Sequence, residues 1–498
     1  MLFNSLTYLL FLAICAPVCV LGPAWLRQSI FLLGSLAFYA FWRIDCTALM
    51  VLNAAIDYVC SLMIAKSTSA AARRGWLWVS LVANFGLLAF FKYTYFMIDT
   101  GHSIAQWFGG TFQPDIGFQI ILPLGISFYT FQSVSYTIDV YRGLQLPVKS
   151  FTLFLTYVTF WPQLVAGPIL RADEVIPQLV SYRRPTAADV ARGLEEMLSG
   201  LFKKVVLADT IGSMVDAGFA IDAAKLGTLD VWCLSFAFGF QIYFDFAGYS
   251  SIAIGSARIL GFEFPQNFHW PYLATSVRDF WKRWHISLSS WIRDYLYLPL
   301  QGVRFRGGTD RVRGSSKGSS ASGGIEARAE GDASAARRDF ALFATWFIMG
   351  LWHGANWTFA LWGLWHATLI YLYRVSEPVR VRMPSAVREI AGWATTLAVC
   401  MLGWIFFRAA TVADSLQMLA TAFNPWRLGI RSLRENTYLV TAIYLAGMLV
   451  AYGVTYFVRW DAWPRWARIG GLATVNAVMA FGVFLLLRRV EQFIYFQF

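Results

Sequence analysis

Charged side chains are scarce: Asp, Glu, Lys and Arg together make up 14% of the 498 residues, against about a quarter in soluble domains. Set beside 57% hydrophobic residues, that shortage excludes an ordinary soluble globule and points to a membrane protein. Cysteine is sparse and unpaired. Cys15, Cys19, Cys46, Cys60, Cys233 and Cys400 fall in or beside apolar runs, a pattern that argues for packing rather than zinc or disulfide frameworks. There is no HExxH pair and no carboxylate near His353 in sequence, so no metal site is expected. No GxSxG nucleophile elbow between a strand and a helix is found, which leaves a nucleophilic serine unsupported. The first apolar run has no basic stretch ahead of it and is followed at once by others, so it is expected to stay as a helix rather than be cleaved.

What the chain has is length and apolar runs. At roughly 20 residues per crossing, 498 residues supply about a dozen membrane helices, which predicts an all-α polytopic membrane protein, a single unit over residues 1–498. The net charge of +12 does not call for nucleic acid, because the basic residues lie in short connections between apolar runs. They alternate instead: Arg27 follows the first run and Lys66, Arg73 and Arg74 the third, whereas the connection Asp99 to Asp115 after the fourth has no Lys or Arg, and Arg142 and Lys149 follow the fifth. Positive residues collect on the cytoplasmic side, so odd-numbered connections are expected there and the N-terminus outside.

Four N-terminal spans are expected at Leu2 to Leu21, Ser29 to Phe41, Ala48 to Ala65 and Trp76 to Phe91, with Asn53 and Asp57 on one helical face. Ile116 to Val140 is broken by Pro123, Gly125 and Ser127, and Phe151 to Leu170 by Pro162, Gly167 and Pro168. Such breaks are tolerated in a membrane where neighbours or a cavity satisfy the freed backbone, so both predict bent or re-entrant segments. The ARGLEEMLSGLFKKVVL section between Arg171 and Ala208 reads as an amphipathic helix, with Lys203 and Lys204 suited to an interface or to a solvated face. Gly302 to Asp339, rich in Gly, Ser, Ala and Arg, has almost nothing to bury and predicts a flexible cytoplasmic loop.

Candidate chemistry rests on few residues. The histidines are His102, His269, His285, His353 and His366. Two stand among tryptophans and small polar residues: His285 in FWKRWHISLSSWIRDY (Phe280 to Tyr295) and His353 in LWHGANW (Leu351 to Trp357). Helical spacing puts Ser289 on the face of His285 and pairs Asp279 with Arg283; the same stretch also suits an interfacial anchor, where Trp and Tyr sit at headgroup level. Gly354 after His353 allows a helix to end and present the imidazole to a cavity. Asp245, inside IYFDFAGYSSIAIG, is a costly intramembrane carboxylate that needs a partner or a polar cavity. With metal and serine chemistry unsupported, imidazole as general base is the remaining reading.

Seven ordered blocks carry a resemblance: GISFYTFQSVSYTIDVYRG (Gly125 to Gly143), FWPQLVAGPILR (Phe160 to Arg171), IYFDFAGYSSIAIG (Ile242 to Gly255), DFWKRWHISLSSWIRDYLYLPL (Asp279 to Leu300), GLWHGANW (Gly350 to Trp357), GWIFFRA (Gly403 to Ala409) and the terminal FIYFQF (Phe493 to Phe498). Together they resemble the membrane-bound O-acyltransferase family, MBOAT, in its bacterial branch that O-acetylates exopolysaccharides. The resemblance implies a ring of tilted helices around a tunnel between a cytoplasmic donor and an external acceptor. It implies His353 as the catalytic residue and His285 as its companion in the tunnel; Asn356, Asp245, Ser289, Arg283 and Trp352 are taken beside them as tunnel or substrate-binding candidates. It further implies no bound cofactor and acetyl-CoA or another acyl thioester as donor substrate. The expected surroundings are membrane lipid in the bacterial inner membrane, with an exopolysaccharide of alginate or cellulose type, or a periplasmic acetyltransferase partner, as acceptor.

The chain departs from the family pattern at Ser251, where aspartate is usual, and at QGVRFRGG (Gln301 to Gly308), where a short basic turn is usual and the long insertion follows. Two alternatives remain at this point: D-alanyl transfer to teichoic acid by a related MBOAT, and a transporter or flippase, since broken helices with polar residues also mark transport paths.

Overall fold

The computed structural model describes all residues except 113, 115, 166, 304, 306–333, 459–462, 487–492 and 495–498. Every regular element among them is helical. Among the described residues six helices are long and apolar enough to cross a bilayer: Ile44–Lys66, Ala70–Trp107, Thr228–Ile259, Ser385–Arg408, Glu435–Val454 and Arg465–Leu486. Other apolar runs form helices that are shorter or carry more polar residues, such as the 19-residue Ala335–His353 and Trp357–Val375. Ala24–Ala40 and Ile126–Arg142 have 17 residues each, about 26 Å at 1.5 Å per residue against a hydrocarbon layer of about 30 Å. The breaks fall where Pro and Gly predicted them. Gly125 takes φ 73° directly before Ile126–Arg142, and Phe151–Thr159 gives way at Phe160 to a four-residue helix, Trp161–Leu164.

The core is built on Thr228–Ile259, whose apolar window is two-thirds buried, whereas no residue of the Arg465–Leu486 window is. A helix this long needs small residues wherever another crosses it closely. Gly193 and Gly200 of Ala187–Leu201 meet Gly255 and Gly248: a Cβ on Gly193 would lie 2.7 Å from the Gly255 carbonyl oxygen, and one on Gly248 2.8 Å from that of Gly200. Without a hydrophobic force between helices in lipid, such close backbone approach supplies much of the packing. Gly350 and Gly363 join Ala335–His353 to Trp357–Val375 in the same way, each with its Cα side pressed on the other helix's backbone.

Buried polar groups tie the layers. Asp57 accepts hydrogen bonds from Ser80 Oγ (2.5 Å), from Asn84 Nδ2 and from Ser133 Oγ, linking three helices through neutral donors. Of the Gly302 to Asp339 segment, residues 304 and 306–333 lie outside the described residues. The last five residues of that segment already belong to the helix Ala335–His353.

Candidate active site

The stretch around His285 does not form one helix. Val277–Arg283 and Ile286–Ile292 are separated at His285, which takes φ 42° and ψ 58°. The left-handed region costs a residue with a Cβ about 1–3 kcal/mol, and the surroundings enforce it. Helix continuation needs the Ile286 amide and the Arg283 carbonyl for intrahelical bonds, but both are taken by a neighbouring segment: Ile286 N–H donates to the Asn267 carbonyl (2.9 Å), and His269 N–H donates to the Arg283 carbonyl (2.9 Å). Ser289 N–H still donates to the His285 carbonyl (3.0 Å), but no hydrogen bond joins the two side chains among the described residues. Ser289 Oγ donates to the Trp284 carbonyl at 3.2 Å, and Ser287 takes its place beside the imidazole. The Asp279–Arg283 pair does form, at 2.9 Å, partly exposed within Val277–Arg283.

His285 is fully buried. Its Nδ1 lies 3.2 Å from Asn267 Oδ1, and its ring packs edge-on to Phe246 at 4.6 Å and more loosely over Phe128 at 6.5 Å. Phe128 also lies 6.0 Å from Trp352, so one phenyl ring borders both candidate stretches. Trp352 stacks on Phe131, which stacks on Trp291 at 3.9 Å. A cavity of about 410 Å³ is lined by Phe131, Trp291, Tyr295 and Trp352 among others.

His353 closes the helix Ala335–His353, and Gly354 follows in extended conformation. Its ring is boxed by Trp352 (4.9 Å), Trp362 (5.0 Å) and Phe407 (5.5 Å). Lys92, His285 and His366 all lie near enough to interact electrostatically with it. The helix end is held from outside. Ala70–Leu88 continues into a π turn, Ala89–Tyr93, and that turn aims two side chains at one set of carbonyls. Lys92 Nζ donates to the carbonyls of Trp352 (2.5 Å) and His353 (3.1 Å), and Tyr93 OH donates to that of Leu351 (2.9 Å). The last carbonyls of a helix lack intrahelical partners and carry its negative dipole end, so a cation there satisfies both.

The other candidates have separate places. Asn356 is the N-cap of Trp357–Val375, its Oδ1 accepting from Thr358 N–H at 3.0 Å. Asp245 is paired with Lys204 at 2.5 Å, and Lys204 with Asp209 at 2.7 Å. The second oxygen of Asp245 accepts from Ile494 N–H at 2.8 Å. Beside that amide, buried Phe493 packs on Tyr249 (4.4 Å) and Phe246 (5.3 Å), so Asp245 reaches the His285 site only through the residues around it. Of the FIYFQF block, residues 495–498 lie outside the described residues. Away from the six spanning helices, burial works to raise the Asp294 carboxyl, but Arg293 (2.7 Å) and Arg171 (2.5 Å) hold it below the usual carboxylate range.

Residues 148–312 match the membrane-bound O-acyltransferase family, MBOAT. A probable alginate O-acetylase of Azotobacter vinelandii is 35% identical over 92% of this chain and 86% of its own length. A peptidoglycan O-acetyltransferase of Helicobacter pylori is 34% identical over 78% of this chain and 72% of its own. The chain belongs to the membrane-bound O-acyltransferase family. A teichoic acid D-alanyltransferase of Bacillus subtilis is similar over a shorter stretch, 28% identical over 55% of this chain and 64% of its own length. This MBOAT protein is thus a multi-pass membrane O-acyltransferase.

The residues that hold His285 and His353 were not legible from sequence. Asn267 lies 18 positions before His285 in a stretch without periodicity, and Lys92 looks like a charge at the end of an apolar run. Their one signal is polarity in an apolar neighbourhood, which many residues share. His366 is a third buried imidazole; its Nδ1 accepts from Trp281 Nε1 at 3.3 Å, and its ring shares Trp362 with His353.

Proposed function

We propose that this MBOAT enzyme, in the bacterial inner membrane, moves an acetyl group from a cytoplasmic thioester, acetyl-CoA or another acyl carrier, for O-acetylation of an exported polysaccharide of alginate or cellulose type. The observation that supports it most is that His285 and His353, remote in sequence, stand with Phe128 and Trp352 between them in one buried, aromatic-walled region. Near-full-length likeness to a protein named for alginate O-acetylation points to the acetyl group and a sugar hydroxyl.

His353 serves as general base and His285 as its companion. The acceptor hydroxyl oxygen attacks the thioester carbonyl carbon while His353 takes the hydroxyl proton. Collapse of the tetrahedral intermediate breaks the C–S bond, and the departing sulfur receives the proton from the imidazolium. The aromatic walls keep water from competing as nucleophile, and the cavity beside Trp352 offers apolar space for the donor's arm. The acetyl group goes to the polysaccharide directly or to a periplasmic acetyltransferase partner that completes the transfer. The Gly302 to Asp339 insertion is proposed to lie on the cytoplasmic side. D-alanyl transfer is the weaker reading, because the O-acetylating relatives match far more of the chain.

Replacing His353 by alanine is expected to abolish acetylation, read as the acetyl content of the exopolysaccharide, while the variant still inserts and purifies as a folded membrane protein. Full acetylation by H353A overturns the proposal.

A further inference from the structure

The hydrogen bonds around His285 decide which of its nitrogens carries the proton. Ser287 N–H, a backbone amide that can only donate, points at the Asn267 side-chain atom assigned as Oδ1, 3.2 Å away. That atom is therefore the carboxamide oxygen and not its nitrogen. Ser287 Oγ is consistent with that direction: it accepts from Ile169 N–H (3.0 Å) and lies 2.9 Å from the same oxygen, to which it can donate, against 3.5 Å to the imidazole Nδ1. Asn267 Nδ2 in turn donates to Ser250 Oγ at 3.1 Å. An oxygen that accepts from Ser287 can only accept from His285 Nδ1 as well. Nδ1 is then the protonated nitrogen, and Nε2 keeps its lone pair.

Two further observations show that the arrangement is built for the ring. Asn267 is fully buried, and its backbone carbonyl and side-chain oxygen bind Ile286 and Ser287 on the far side of the left-handed turn, so one residue sets both the backbone and the ring of His285. Nε2 of His285 is buried and has no hydrogen-bond partner among the described residues, although an unpaired polar atom in an apolar interior is costly.

We propose that Asn267 is a positioning residue that fixes His285 as the Nδ1-protonated tautomer and turns a basic Nε2 toward the acyl-transfer site. This rests on the two-histidine reading given above and narrows it. A neutral imidazole presented through a bare Nε2 cannot donate to a developing oxyanion; it can only accept a hydroxyl proton or hold the hydroxyl in place. Ser250 acts one step further out by keeping the carboxamide from turning over.

The test separates tautomer from activity. Full-length protein labelled with ¹⁵N-histidine and reconstituted in nanodiscs is expected to show one imidazole protonated at Nδ1 whose signals vanish in H285N. In N267A that tautomer preference is lost and kcat falls about 10–100-fold, the range typical when the group hydrogen-bonded behind a metal-bound imidazole is removed, with KM little changed. N267D keeps every acceptor contact, since Ser250 can rotate to donate, and is expected to retain the tautomer and restore kcat to within about threefold of wild type. If N267A fails to fold, S250A carries the test, with a mixed tautomer and a smaller loss of kcat. A His285 signal protonated at Nε2 in the wild type overturns the proposal, as does an N267A enzyme with unchanged kcat. An Nδ1-protonated His285 together with normal acetylation by H285N instead overturns the two-histidine reading.

Discussion

His285 is gripped from within and His353 from behind. The first sits at a break between two short helices, with its ring nitrogen on Asn267 and its neighbours' amides on the same residue. The second ends a 19-residue helix and is set by where that helix stops, with Lys92 and Tyr93 on its terminal carbonyls and aromatic rings around the imidazole. Polar contacts to a ring fix its protonation and rotation, whereas contacts to the backbone behind it fix only its position. Lesions near His285 are therefore expected to alter chemistry at constant fold, and lesions near His353 to move the ring or loosen the helix that carries it.

The largest expected effect is the loss of His353 itself, about 10²–10⁴-fold in rate if it is the general base, checked by acetyl-transfer kinetics in membranes. Next comes Gly350→Val. Its side chain would drive into the backbone of Trp357–Val375, and overpacking of this kind costs about 1–3 kcal/mol or more. A fall in thermal stability measured in detergent is expected, with activity lost in proportion to folded protein; an unchanged Tm would show that this crossing has room to spare. Lys92→Met preserves length and apolar bulk but frees the Trp352 and His353 carbonyls. A kcat loss on the order of 10-fold, with KM nearly unchanged, is expected if a displacement of about 1 Å reaches the ring, and Lys92→Arg is expected to recover part of it. An effect of K92M as small as that of a surface lysine would mean that the aromatic box alone positions His353. The smallest expected effect is Ser289→Ala, since that hydroxyl donates to the Trp284 carbonyl and, among the described residues, makes no hydrogen bond to either histidine. Its cost is about 0.5–1.5 kcal/mol of stability with kcat unchanged, and a large fall in kcat would return Ser289 to the site.

Spans and interrupted segments were legible because hydropathy, Pro and Gly act locally. Ala24–Ala40 was read as starting at Ser29, since the polar side chains of Arg27 and Gln28 hid its first turn; Arg27 turns back onto the Cys19 and Gly22 carbonyls. The break at His285 was illegible for a different reason. No Gly or Pro marks it, and it exists because residues 267–269 compete for the helix's own hydrogen bonds, a tertiary effect that spacing along 280–295 cannot reveal. Asp245 was read as needing a partner, and the structure supplies Lys204 with the Ile494 amide. Neither could be named in advance from two elements so distant in sequence. The Ser251 departure finds a partial account as well: Lys203 Nζ donates to Ser251 Oγ at 3.0 Å, a neutral contact where an acidic residue would make an ion pair.

The π turn Ala89–Tyr93 matters to the chain's tolerance of insertions and deletions. Such a turn holds one residue more than an α-turn and absorbs it without rotating its flanks, whereas removing a residue from the α-helical Ala70–Leu88 just before it would rotate everything on one side by about 100°. Lys92 and Tyr93 would then face away from the Leu351, Trp352 and His353 carbonyls although the span kept its hydrophobicity. A gap of one position in this run is thus a mark to look for among sequences of this kind: it would separate chains that brace the His353 helix from this side from chains that brace it by other means.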